Sequence, residues 1–124
     1  MARILSISYD ETLLRTRELM LKGAAHRVKS ALGFQDATES CSRDSFDVII
    51  IGHSIPQKDK LAIIGCFREA NPKAVVIALT RAGETRLNDV DHYINPGDPE
   101  ELLRALAWIL NPKRERRDGP RRVK

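Results

Sequence analysis

The sequence predicts a single α/β domain of the doubly wound kind, a (βα)5 unit whose parallel five-stranded sheet runs in the order 2-1-3-4-5. Three observations predict it. Apolar, β-branched runs recur at Ile4-Leu5-Ser6-Ile7, Val48-Ile49-Ile50-Ile51 and Ala74-Val75-Val76-Ile77-Ala78-Leu79. They are nearly continuous rather than alternating, as strands covered on both faces are. Helical patterns lie between and after them. Two weaker runs of mixed polarity, residues 26–31 and 92–95, come second and fifth along the chain. The order 2-1-3-4-5 puts those two at the sheet edges and the three strong runs in its middle.

Each element has its own justification. The start, Met1-Ala2-Arg3-Ile4-Leu5-Ser6, moves directly into the first strand-like run. Residues 11–22 form a helix with Leu13, Leu14, Met20 and Leu21 on its apolar stripe and Arg15, Arg17, Glu18 and Lys22 outward. The run from His26 to Ala31 supplies the second strand, and Phe34 to Cys41 a short second helix. After the third strand, residues 58–70 bury Leu61, Ala62, Ile64 and Phe67 and stop at Asn71-Pro72. The fourth strand ends at Leu79. A short fourth helix is predicted over residues 84–90, followed by the weak strand at His92-Tyr93-Ile94-Asn95. Asp98-Pro99-Glu100-Glu101 opens the last helix as an N-cap with proline at the first helical position. Its buried stripe is Leu102, Leu103, Leu106, Ile109 and Leu110.

The chain of 124 residues suits one domain, since domains typically run ~100–150 residues. A hydrophobic fraction of 42% with 31% charged residues excludes a disordered chain, and no apolar run reaches the ~18–20 residues of a membrane span. Cys41 and Cys66 match neither a zinc spacing nor a disulfide scaffold, which with the absence of a signal-peptide layout predicts a soluble protein of the reducing cytoplasm. The net charge of +4 is concentrated at the end: residues 113–124 hold seven bases against two acids, so the body is close to neutral. The expected division is a domain over residues 1–111 and a solvated basic tail over 112–124.

In such a fold, ligands collect beyond the carboxyl ends of the strands. Ser8, Tyr9, Asp10 and Glu11 follow the first strand, Gly52, His53 and Ser54 the third, Thr80 and Arg81 the fourth, Asn95 and Pro96 the fifth. No glycine-rich phosphate loop follows any strand, and Ser54, His53 and Asp59 lack the elbow geometry of a hydrolase nucleophile. Over residues 2–110 the chain resembles a response-regulator receiver domain (CheY-like, flavodoxin-like). The resemblance rests on Phe46-Asp47-Val48-Ile49-Ile50-Ile51 with Pro56 beyond it, on Val76-Ile77-Ala78-Leu79-Thr80, and on Pro96 with Asp98-Pro99-Glu100-Glu101-Leu102-Leu103. It implies a phosphorelay input module in which an Asp at the end of the third strand accepts a phosphoryl group. Mg²⁺ would be held by acids after the first strand, with a Lys after the fifth and a hydroxyl after the fourth on the phosphate. It also implies a cis bond at Asn95-Pro96.

This sequence departs from that pattern at most of those positions. Counted from Asp47, the acceptor position is Gly52, which has no side chain to phosphorylate. The Lys position is Asn95. The two acidic positions fall on Ser8 and Tyr9 without a gap, or on Tyr9 and Asp10 with one inserted residue. Only Thr80 remains as the family has it. With the acceptor gone and the acids thinned, no metal or other cofactor is expected.

The other residues have ordinary readings. His53 caps or bonds a loop, because adjacent residues on a strand face opposite ways and it cannot simply replace Gly52. Tyr9 packs the vacated pocket, while Asp10 and Glu11 suit a helix N-terminus. Trp108 packs on the last helix or, if exposed, anchors an interface with His92, Tyr93 and Arg104 on the face of the fourth helix, fifth strand and fifth helix.

The predicted function is that of a stand-alone, degenerate receiver (a pseudo-receiver), not an enzyme. It would work in a two-component pathway by phosphorylation-independent contact with another signalling protein or a second copy of itself. Two alternatives are a receiver phosphorylated at a non-standard residue such as His53 or Asp10, and nucleic-acid binding by the tail. The tail lacks aromatics to stack on bases, so nucleic acid is the weaker reading, and no membrane role is expected.

Overall fold

A computed structural model describes residues 3–81 and 89–111. The chain runs β1 (Arg3–Ser8), α1 (Glu11–Gly23), β2 (Arg27–Leu32), α2 (Gly33–Arg43), β3 (Val48–Ile51), α3 (Gln57–Ala70), β4 (Val75–Leu79), β5 (His92–Ile94) and α4 (Pro99–Ile109). All strand pairs are parallel, in the order β2-β1-β3-β4-β5. The predicted order is therefore observed. Among the described residues there are four helices where the sequence predicts five. Most of the predicted helix over 84–90 lies outside them, as does the basic tail over 112–124.

The apolar central strands drive this arrangement. Every residue of β3 is buried, as are five of six in β1 and four of five in β4. Their alternate side chains feed two cores. Leu5, Ile7, Ile49 and Ile51 meet Ile63, Ile64 and Phe67 of α3 on one face. Ile4, Val48, Ile50 and Ile77 meet Leu21 of α1 and Leu102, Leu106 and Ile109 of α4 on the other. Edge strand β2 is mostly exposed, as its mixed polarity predicts. No helix among the described residues is long and apolar enough to cross a membrane.

Several sequence expectations are corrected. Arg17, expected outward, is 8% exposed, whereas Leu13, expected on the stripe, is 36% exposed. The buried positions of α1 are Leu14, Arg17 and Leu21, spaced three and four apart, so the true stripe runs through the arginine. In α3, Leu61 and Ala62 are exposed and Ile63 takes the core position, because the helix turns its Ile63-Ile64-Phe67 face to the sheet. The Asn95–Pro96 bond is trans. The turn is closed instead by Asn95, whose Oδ1 accepts the Gly97 N–H at 2.8 Å and whose carbonyl accepts the Asp98 N–H at 3.1 Å.

Side-chain bonds, one of them buried, fix the crossings between layers. Asn71, the C-cap of α3, accepts the Phe46 N–H on Oδ1 at 2.9 Å just before β3. Asp91 Oδ2 accepts both the Val76 N–H at 2.8 Å and the Arg68 Nη2–H at 2.9 Å, tying α3, β4 and the approach to β5. Replacing Asn71 by Ala strands the buried Phe46 donor. It should lower the free energy of unfolding by about 1–3 kcal/mol, read as a shifted urea midpoint at unchanged slope. A change below about 0.5 kcal/mol would mean the bond contributes nothing, since surface substitutions fall in that range.

Candidate functional site

The carboxyl ends of β1, β3, β4 and β5 converge at one edge of the sheet. Ile7 pairs with Ile51, so Ser8 and Gly52 leave the sheet side by side. The Gly52 N–H donates to the Ile7 carbonyl at 3.0 Å. A Cβ on Gly52 would stand 3.0 Å from that same oxygen and 3.6 Å from the Cα and Cβ of Ser8, closer than side chains ordinarily approach a backbone oxygen. Glycine here permits two backbones to close against each other. The position that the receiver resemblance gives to an acceptor is occupied by that contact.

The groups around it are committed to one another. Ser8 Oγ donates to the Asp10 carbonyl at 3.1 Å and accepts the Asp10 N–H at 3.0 Å, closing a tight turn. Asp10 is the N-cap of α1, its Oδ1 accepting the Leu13 N–H at 3.1 Å. That bond satisfies one of the free donors of the first turn. Glu11 pairs with Arg15 at 3.1 Å one turn along, with both side chains exposed, a surface pair of small energetic worth.

Tyr9 reaches across to α3, where its hydroxyl donates to Asp59 Oδ2 at 2.8 Å. Burial foremost, then the hydrogen bond and charge of Asp59, hold the Tyr9 phenol well above its ordinary range. The sequence offered no signal for this pairing, since the two residues are fifty positions apart and neither matches a motif.

His53 is half-buried in the turn that leads to α3, and Thr80 is half-buried with its N–H donating to the Ile94 carbonyl at 2.9 Å. Asn95 and Pro96 form the turn into α4, with Asn95 Oδ1 spent on Gly97. Among the described residues no group of three or more His, Cys, Asp or Glu side chains could hold a metal ion. Mg²⁺ demands near-octahedral oxygen ligation, usually with one or two carboxylates. The residues present do not fit it: Asp10 caps a helix, Asp59 binds a phenol, and Gly52 has no ligand to offer.

The sequence-proposed interaction face is assembled in part. Trp108 on α4 is 40% exposed and meets His92 edge to face, the ring centroids 6.2 Å apart at 84°. Arg104 lies on the same helix, 3.9 Å from Glu100. Tyr93 does not share the face, because strand alternation turns it away from its neighbours His92 and Ile94, and Ile94 packs in the α4 core. Sequence reasoning missed Asp59 as the partner of Tyr9, and it missed the burial of Arg17. The spacing of Leu14, Arg17 and Leu21 could have found the second.

Comparison with solved structures identifies the fold. The response regulator TrrA of Thermotoga maritima, solved with Mg²⁺-BeF, superposes with a TM-score of 0.76 at 20% identity, over 89% of this chain and 100% of that one. A two-component response regulator of Clostridium difficile gives 0.78 at 19% identity, over 90% and 98%. TrrA in complex with the histidine kinase ThkA gives 0.75 at 20% identity, over 90% and 100%. The chain has the receiver fold. No family model matches the sequence, and no curated protein does.

Two outcomes test the site. Gly52→Ala should destabilise the fold by about 1–3 kcal/mol, the usual range for a group forced into a packed site. Unaltered stability would show that the Ile7 carbonyl yields freely. The Tyr9 phenol, followed by ultraviolet absorbance in a Tyr93→Phe background, should ionise above pH 10, the ordinary tyrosine value. Because the folded value is the higher, the stabilisation is complete below about pH 10 and is lost as pH rises towards the folded value. Asp59→Asn should bring the ionisation partway down, since burial remains.

Proposed function

We propose that this chain is a degenerate receiver, a signalling module that works through protein contacts and neither accepts a phosphoryl group nor catalyses a reaction. The observation that carries the reading is the backbone contact of Gly52 with Ile7, which fills the space where an acceptor side chain would begin. The engagement of Asp10 in the α1 cap and of Asp59 with Tyr9 supports it, as does Asn95 where the family resemblance would have a lysine. The two free cysteines are in keeping with a reducing compartment, the cytoplasm in this reading.

A two-component protein partner is the first choice. TrrA, of the same fold, is known in complex with a histidine kinase. A receiver without an acceptor could occupy such a partner without drawing phosphate from it. The face of His92, Arg104 and Trp108 is the proposed contact with a signalling protein or a second copy, since a part-exposed tryptophan is a common interface anchor.

Intact-mass measurement after incubation with acetyl phosphate and Mg²⁺ tests the chemistry. The expected spectrum holds only the unmodified chain. A gain of one phosphoryl group would overturn the reading and favour a non-standard acceptor such as His53 or Asp10, which peptide mapping would identify.

A further inference from the structure

Beside the mouth of the sheet, between α1 and the turn after β5, one buried charge lacks an answering group. Arg17 occupies the inner face of α1 between Leu14 and Leu21 and is 8% exposed. Its Nη1 is buried without a hydrogen-bond partner, and no ion pair among the described residues includes it. Buried charges in proteins are ordinarily paired and hydrogen-bonded, because their desolvation is otherwise uncompensated. Burial alone pulls the guanidinium below its usual pKa, with no anion to raise it.

The same side chain lines a cavity of about 140 Å³ between α1 and the turn from β5 to α4. Most of its wall is apolar, from Leu13, Met20, Leu79, Pro96 and Leu102. Its other polar members are Thr16, Asn95 and Asp98. The side-chain oxygens of Asn95 and Asp98 already accept N–H groups, from Gly97 and Glu101. Arg17 is the cation of this lining, and its Nη1 is the lining atom that is buried without a hydrogen-bond partner.

We propose that this cavity binds a small organic monocarboxylate, its carboxylate on the Arg17 guanidinium and its hydrocarbon body against the apolar wall. Each part of the assignment follows from the lining. A guanidinium presents paired N–H donors that match a carboxylate. One cation suits a single negative charge, and the Asp98 carboxylate elsewhere in the lining opposes a dianion such as phosphate. The hydrocarbon wall favours a ligand with an apolar body. An apolar cavity of roughly 150 Å³ is known to take benzene, which sets the size. The site is independent of the chemistry at Gly52, so its test does not depend on how that question resolves.

Benzoate and its neutral analogue benzyl alcohol are the probes, titrated into the ¹⁵N-labelled full chain and followed by amide shifts. Benzoate should give saturable shifts at Thr16, Arg17 and Asn95 and bind at least about tenfold more tightly than the alcohol, the margin of one charge-assisted contact. Arg17→Met should lose that preference and bind benzoate at least about tenfold more weakly. Its melting temperature should rise, because an unpaired buried charge has been removed.

Leu13→Trp changes a part-exposed residue at the rim. It should fold normally and exclude both probes. The proposal is overturned if benzoate gives no saturable shift, if the wild type binds acid and alcohol alike, or if Arg17→Met keeps wild-type affinity for benzoate. Should Arg17→Met fail to fold, unaltered benzoate binding by Leu13→Trp overturns it equally.

Discussion

The carbonyl of Ile7 and the backbone of Gly52 meet at the mouth of the sheet, and that close approach limits what every neighbouring residue can do. Gly52, at the end of β3, projects no side chain towards the turn after β1. Ser8 folds onto the Asp10 backbone, Asp10 caps α1, and Tyr9 crosses to Asp59 on α3. Ser8, Tyr9, Asp10 and Asp59 are thus tied into hydrogen bonds with protein groups. A site for phosphoryl transfer needs the reverse, carboxylates held apart and left open for a cation and an anion.

The stability of the fold is generated away from the mouth. Two apolar layers, one over each face of the sheet, contain the large buried side chains, and of the mouth residues only Tyr9 packs against either. The loops at the strand ends are therefore free to vary while the strand order stays fixed, the general separation between scaffold and site. At 19–20% identity to two of its structural neighbours, this chain shares their fold.

The sheet was legible in the sequence because β1, β3 and β4 are buried on both faces, and that burial leaves unbroken β-branched runs. The edge strands were legible by contrast. Helix faces were read less well. In α1, polarity does not signal exposure, because Arg17 lies on the stripe of Leu14 and Leu21. In α3, adjacent apolar residues from Leu61 to Ile64 made several stripes possible, and tertiary packing selected one. The cis bond that the receiver resemblance implied at Asn95–Pro96 is not found: the bond is trans, and Asn95 closes the turn through Gly97. At the site, Gly52 was visible from spacing alone, whereas the Tyr9–Asp59 bond depends on how α3 lies over β1.

The most direct measurement of a silent mouth is an amide-shift titration of the ¹⁵N-labelled chain with beryllofluoride and Mg²⁺, which together mimic an aspartyl phosphate. The resonances of Ser8 to Glu11, Gly52, His53 and Thr80 should stay where they are through the whole titration. Saturable, Mg²⁺-dependent movement of those resonances would mean that a carboxylate at the mouth still binds the phosphoryl mimic, contradicting the reading of this chain as a receiver without an acceptor.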